Sequence, residues 1–360
     1  VQKEIDALLS ERPGLKAKDL AKCLKLPRKE INSFLYSYKD QTYRQDSEFK
    51  WFLLHPPKKT LVLRSGWHSG DRFEDDLSLT GSLIDDSVKA VDIVFSNDCK
   101  PMIDSVAKIL ALTNQLAQRG TTVTLDFSDS KKSLTYLNRA GFFDLLDSSI
   151  SVLPHRPTYS AAKAYRGNSA TLKEFERVEP NDENEDLKEK LTHKFVVQTS
   201  DQYRTAAFTI FSELIGNVKE HSETHLWGFA ASQRYGGTRS HIQAVVSDNG
   251  LGIAATLRPA LKQFHPHLYD KYGEETLEND MALVRETMGK GLVSRKGEGR
   301  GLGFYSSRQQ AMKFNAEFTV RQAHFLLRFQ FEQGELTSVS PRIGLPTLHG
   351  THICFDFFID

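Results

Sequence analysis

The sequence predicts a multidomain chain of mixed α and β structure, and three observations carry this. The 360 residues exceed one ordinary domain. The hydrophobic pattern changes character along the chain. It is helix-like and ends in a short hairpin over 1–57, alternates between strand-like and helix-like stretches over 58–153, and carries motifs from 190 to 360. Within 154–189 lies an acidic run, Glu179-Pro180-Asn181-Asp182-Glu183-Asn184-Glu185-Asp186, which reads as a solvated connector or as the start of a helix.

Composition narrows the function classes. Hydrophobic content of 39% and charged content of 26% are ordinary for a soluble globular protein. A net charge of +1 gives no global field toward nucleic acid or membrane, so any such affinity needs a local patch. Cys23, Cys99 and Cys354 form no CxxC pair, so neither a disulfide framework nor a zinc site is expected, which fits a reducing cytoplasm. No apolar run approaches the roughly 20 residues that span a bilayer, and Val1-Gln2-Lys3-Glu4 does not open a signal peptide. A cytoplasmic location without a membrane partner is therefore expected.

In residues 1–57, Ile5, Leu8 and Leu9 mark one helix, and Leu20 and Leu24 a second. Pro27 opens a third, where its missing N–H costs nothing. Ile31, Phe34 and Leu35 take its core side, and Arg28, Lys29, Asn32 and Tyr36 its other faces. Short strands follow around Thr42-Tyr43-Arg44 and Lys50-Trp51-Phe52-Leu53. The order resembles an α+β winged helix, and Asn32, Tyr36 and Trp51 are similar to residues of the Zα-like members. That resemblance implies that Asn32 and Tyr36 contact a duplex phosphate backbone and that Trp51 braces the tyrosine. Ser47-Glu48-Phe49-Lys50 stands where that family has Pro-Pro, which speaks against left-handed duplex specificity. Over residues 1–59, thirteen Lys and Arg against eight Asp and Glu give the local excess that a phosphate-backbone binder needs. The same fold can serve protein docking alone.

In residues 58–153, Val91–Phe95 reads as a buried strand and Pro101–Arg119 as a helix closed by Gly120. Thr121–Phe127 reads as a second strand, and Leu134–Leu146 as a helix interrupted near Gly141. This α/β run resembles a STAS-like domain, which implies a protein partner. Asp104-Ser105 echoes the phosphorylation site of such domains, with Val106 and Ala107 in place of the glycines that follow there.

Three motifs carry the C-terminal chemistry. In Phe208–His221, Phe208, Phe211, Ile215 and Val218 give an apolar stripe, and Glu213, Asn217 and His221 give a polar line at four-residue spacing. An Asn carbonyl suits a Mg²⁺ ligand, and a Glu one turn earlier can hold or deprotonate a water. The strand-like Ile242–Ser247 ends in Asp248-Asn249-Gly250-Leu251-Gly252, a carboxylate acceptor beside backbone that a flat ring can approach. Adenine offers its exocyclic amine as the matching donor. Gly297-Glu298-Gly299-Arg300-Gly301-Leu302-Gly303-Phe304 precedes a helical stretch, where backbone N–H groups can close on phosphate and Lys296 and Arg300 add charge. Each alone also has a bland reading: a wet helix face, an Asx turn, a flexible loop.

Together, and in this order, they resemble the N, G1 and G2 boxes of the GHKL ATPases (gyrase, heat-shock chaperones, histidine kinases and MutL) from near residue 195 to 358. The resemblance implies a two-layer α/β sandwich of the Bergerat type that binds ATP and Mg²⁺. Asp248 would hold the adenine amine beside Gly250 and Gly252, and Thr351 of the last strand would help to read the base. Asn217 would hold Mg²⁺. Lys296, Gly299, Arg300, Gly301, Leu302 and Gly303 would wrap the phosphates, Glu213 would be the catalytic base, and 253–296 would form a lid. No phosphoacceptor His heads a dimerising helix pair, so a two-component sensor kinase is not expected. The expected function is an ATP-hydrolysing switch that controls the N-terminal modules and forms a nucleotide-dependent homodimer. The alternatives are a Ser/Thr protein kinase of the anti-sigma type and a non-hydrolysing nucleotide sensor.

Overall fold

The computed structural model describes residues 1–54, 58–179, 185–221, 227–237, 239–290 and 315–358, with the backbone alone at 11, 217–221 and 289–290. The chain opens with α1 (Gln2–Glu11), β1 (Leu15–Lys16), α2 (Ala17–Leu24), α3 (Arg28–Ser37), β2 (Tyr43–Gln45) and β3 (Lys50–Leu53). The three strands form one antiparallel sheet in the order β1-β3-β2. Ile5, Leu9, Leu20, Ile31, Leu35, Tyr43 and Trp51 make its core. The expected helices and hairpin are present. Two-residue β1 is too short to leave a periodic signal. Pro27 caps α3 from outside rather than starting its first turn.

The middle region contains β4 (Lys58–Leu63), β5 (Gly66–His68), α4 (Gly70–Thr80), β6 (Ala90–Phe95), β7 (Cys99–Pro101) and α5 (Ile103–Gln118). β8 (Thr122–Asp126), α6 (Lys131–Ala140), α7 (Phe142–Leu145) and β9 (Ser151–Leu153) follow. β4-β6-β8-β9 form a parallel sheet, and β5-β7 a separate parallel pair. Parallel neighbours need long crossovers, which the helices supply. Gly141, at φ 88°, splits the helix expected over 134–146 into α6 and α7. A Cβ there would also lie 3.1 Å from the Phe175 carbonyl oxygen.

The remainder comprises α8 (Ala161–Ala164), β10 (Leu172–Val178), α9 (Glu185–Gln198), α10 (Arg204–His221), β11 (Gly228–Tyr235) and β12 (His241–Ser247). Then come α11 (Ile253–Phe264), α12 (Pro266–Tyr272), α13 (Leu277–Lys290), β13 (Ala316–Arg321), β14 (Phe325–Glu332), β15 (Glu335–Ile343) and β16 (His352–Phe358). Among the described residues the strands form a seven-stranded antiparallel sheet, β10-β11-β12-β16-β13-β14-β15. Ala230, Ala244, Val246, Phe318 and Phe355 face a core shared with α9 to α13. Their alternates Phe229, Ala231 and Val245 join the core of the middle region, where α5 packs on β12 and β11.

The whole is therefore a multidomain α/β chain with several sheets, and strands β11 and β12 of its large sheet are buried on both faces. The expected two-layer sandwich gains a third layer, because α5 covers the face that a two-layer fold would leave to solvent. The stretch 154–189 holds α8 and edge strand β10, and α9 begins at Glu185 within the acidic run, where a helix start was one of the two expectations. The charges of Leu172–Val178 pair locally, Lys173 with Glu176 at 2.7 Å and Glu174 with Arg139. The expected lid contains three helices tied into the core by Leu257, Leu261, Leu268, Leu283 and Val284.

One ion cluster crosses the interface between α5 and the sheet. Glu74 of α4 accepts from Lys108 of α5 at 2.9 Å and from Arg321 of β13 at 3.1 Å, with all three side chains buried. Burial alone would raise the Glu74 pKa, but the two cations outweigh it and hold the carboxyl at about 2. Removing one partner of such a cluster strands the other charges without water. Glu74→Ala should therefore cost about 3–5 kcal/mol in urea unfolding. Asp75→Ala, which removes the half-exposed partner of Arg342, should cost about 1 kcal/mol or less.

Candidate nucleotide site

β12 and β16 are antiparallel neighbours with Ser247 opposite His352. The ladder runs on past their ends. The Asp248 N–H donates to the Thr351 carbonyl at 2.9 Å, and the Thr351 N–H donates to Asp248 Oδ1 at 3.2 Å. The Gly250 N–H donates to the same carboxylate oxygen at 2.7 Å. Asp248 is only 5% exposed. Burial outweighs these donors and pushes its pKa up to about 6.

Two glycines are required here by space. A Cβ on Gly350, at φ 93°, would lie 2.1 Å from the Asp248 carbonyl oxygen. One on Gly252, at φ 85°, would lie 2.7 Å from Gln322 Oε1, which accepts from the Ile253 N–H at the head of α11. Gln322 was not singled out from the sequence, because it belongs to no motif and acts only through the fold.

Helix α10 corrects the expected stripe. Ala207, Ile210, Phe211, Leu214 and Ile215 are buried, whereas Phe208 is 39% exposed. At 100° per residue Phe208 lies on one flank of the buried face and Glu213 on the other, beside Ala206. Glu213 is half-buried. The side chains of Asn217, Val218 and His221 lie outside the described residues, as do Lys296, Gly299, Arg300, Gly301, Leu302 and Gly303. Of the expected ATP residues, the structure brings Asp248, Gly250, Gly252 and Thr351 together at one end of β12 and β16.

In the N-terminal region Arg28 and Lys29 are exposed, Asn32 is half-buried and Tyr36 is 52% exposed. Their spacing places all four on one side of α3. Trp51 is fully buried, which leaves it the bracing role and no direct contact with a ligand. Its ring meets Tyr36 edge-on, with centroids 5.1 Å apart, and Tyr36 donates its hydroxyl hydrogen to Gln45 Oε1 at 3.0 Å. The tyrosine is thereby held from two sides.

Ser105, the echo of a phosphorylation site, is fully buried and shares a hydrogen bond with His68 Nδ1 at 2.9 Å. His68 Nε2 lies 2.8 Å from Asp76. Burial lowers the His68 pKa despite that carboxylate. Ser105 is thus a structural hydroxyl in a closed network. Among the described residues no helix is long and apolar enough to cross a membrane, and no group of three or more His, Cys, Asp or Glu could hold a metal ion.

No protein-family model matches the sequence, and no curated protein matches it significantly. Among solved structures, the mycobacterial sensor histidine kinase MprB aligns at 15% identity over 43% of this chain and 71% of that one, with a TM-score of 0.23. That likeness is too slight to assign a fold.

The Asp248 shift has a stability consequence with a definite sign. Its folded pKa of about 6 exceeds the ordinary 3.8, so the folded state binds more protons between those values. Stability should therefore fall as pH rises through this window. Asp248→Asn removes the buried charge. Its stability relative to wild type should rise between pH 4 and pH 7, read by denaturant midpoints at the two pH values.

Proposed function

We propose that residues 190–360 bind ATP with Mg²⁺ and hydrolyse the ATP, and that nucleotide state governs how the N-terminal modules engage nucleic acid or a protein partner. Asp248 is the observation that carries this reading. Burial keeps the pKa of this carboxylate raised despite its donors Gly250 and Thr351, so a further donor would favour its ionised form. The adenine amine is such a donor. Thr351 sits beside the acceptor and would complete the reading of the base. Asn217 would hold Mg²⁺ through its amide oxygen, and bound Mg²⁺ would offset phosphate charge. Lys296, Gly299, Arg300, Gly301, Leu302 and Gly303 would supply N–H groups and positive charge to the phosphates. Glu213, one turn before Asn217, would orient or deprotonate the attacking water.

Incubation with γ-labelled ATP tests the reading. Asp248→Asn should weaken ATP binding about 10- to 100-fold, the loss of one charge-assisted contact. Glu213→Ala should bind ATP nearly as well as wild type and release phosphate about 10²–10⁴-fold more slowly. In this proposal the ATP-bound form is a homodimer, which light scattering of Glu213→Ala would display. Equal phosphate release by Glu213→Ala and wild type refutes hydrolysis through Glu213. Label transferred to protein marks the kinase alternative, and burial of Ser105 argues that its target lies on another chain. Binding without turnover marks the sensor.

The N-terminal part of the proposal rests on the exposed face of α3, formed by Arg28, Lys29, Asn32 and Tyr36 with Trp51 as brace. Each phosphate contact releases counterions, so replacing Arg28 and Lys29 by Ala should reduce the slope of log K against log salt by about 2 on duplex nucleic acid. No binding by wild type at low salt leaves protein docking as the role of this module.

A further inference from the structure

Helix α5 reaches the candidate nucleotide site from the far face of the sheet. Near its C-terminal end Gln115, 4% exposed, lies between the loops that carry Asp248 and Thr351. Its Nε2 donates to Asn249 Oδ1 at 2.8 Å and to the His349 carbonyl at 2.9 Å, and its Oε1 accepts from the His349 N–H at 3.0 Å. Asn249 follows Asp248, and His349 precedes Gly350 and Thr351. The Nδ2 of Asn249 donates to the Trp227 carbonyl at 3.0 Å, which turns its oxygen toward Gln115. Only one orientation of the Gln115 amide then satisfies all three partners. A second tie runs alongside: Glu74 of α4 holds Arg321, whose neighbour Gln322 accepts from the Ile253 N–H.

We infer that Gln115 is a positioning residue for the nucleotide site, so that packing of the middle module and nucleotide affinity are coupled. The inference rests on the ATP-binding reading of Asp248 and Thr351 and assigns that site its regulation. Gln115 ties the loop of the adenine acceptor to the loop of its neighbouring threonine, and both to a helix outside the ATP-binding unit. Linkage makes the effect reciprocal: whatever loosens α5 weakens nucleotide binding by the factor with which nucleotide tightens α5.

Gln115→Met keeps the length of the side chain and removes its hydrogen bonds. The full chain and this variant are titrated calorimetrically with ATP and with GTP in Mg²⁺, and their Tm values are read without nucleotide. The affinity of the variant for ATP should fall about 5- to 100-fold, the range of ordinary coupling energies. Its preference for ATP over GTP should shrink as well, because a displaced Asp248 no longer meets the exocyclic amine. A residue that only supports the fold would lower Tm and leave both the ATP affinity and that preference unchanged, and this result overturns the inference. Wild-type protein that binds no ATP removes the underlying reading, whereas equal binding by wild type and variant removes the inference alone. Should the variant not fold, hydrogen exchange on wild type decides. ATP should slow exchange in the last turn of α5; protection confined to the loop after β12 overturns the inference.

Discussion

The burial of α5 between two sheets is the constraint on which the rest of the structure depends. Ile109, Leu110, Ala111, Leu112 and Leu116 all lie inside, so the helix has no wet side over most of its length. A helix apolar all round must be enclosed, and here the parallel sheet and the seven-stranded sheet enclose it. The large sheet must then be apolar on both faces, which β11 and β12 are, with nearly every residue buried. Any polar group in this interface must find a partner within the protein. Lys108 finds Glu74, Arg321 finds Glu74 and the Pro346 carbonyl, and the Ile103 N–H finds the Tyr235 hydroxyl at 2.7 Å.

The same enclosure explains why a carboxylate can sit desolvated at the end of β12. β12 and β16 are interior strands of the large sheet, packed by helices on one side and by α5 on the other. Their ends are fixed by continued ladder bonds between Asp248 and Thr351, not by loop packing alone. A carboxylate carried on such rigid elements is held in a fixed position. Its cost is the raised pKa of Asp248, a destabilisation that a ligand donor would offset.

Much of this was legible in the sequence, and the failures have local physical causes. Periodicity gave α1 to α3, β6, α5, β8 and the break at Gly141, because each buries one face or one continuous run. The expected neighbourhood of Asp248 and Thr351, 103 residues apart, agrees with their hydrogen bond. Phe208 misled because an aromatic at helical spacing reads as core, yet one step around the helix sits Ala207, which takes the buried position with a smaller side chain. β10 was invisible because ion pairs neutralise its charges, and pairing is a property of space rather than of order along the chain. Trp51, expected as a brace for Tyr36, is fully buried with its ring against that tyrosine. The third layer could not be read at all: the apolarity of α5 shows that something covers it, without saying what.

Gln115 illustrates a further limit, and also why an amide suits that position. A lysine could donate to Asn249 and to the His349 carbonyl but could not accept from the His349 N–H, and a carboxylate could accept but not donate. Either would also bring a further charge into an interface that already buries Glu74, Lys108 and Arg321. The neutral amide alone matches a peptide unit the way a neighbouring strand would, pairing with both the N–H and the carbonyl of His349. Gln115 therefore links the loops at the ends of β12 and β16 to a helix of the middle region. The loop before β16 keeps its register against Asp248 because a helix side chain stands in for a missing strand.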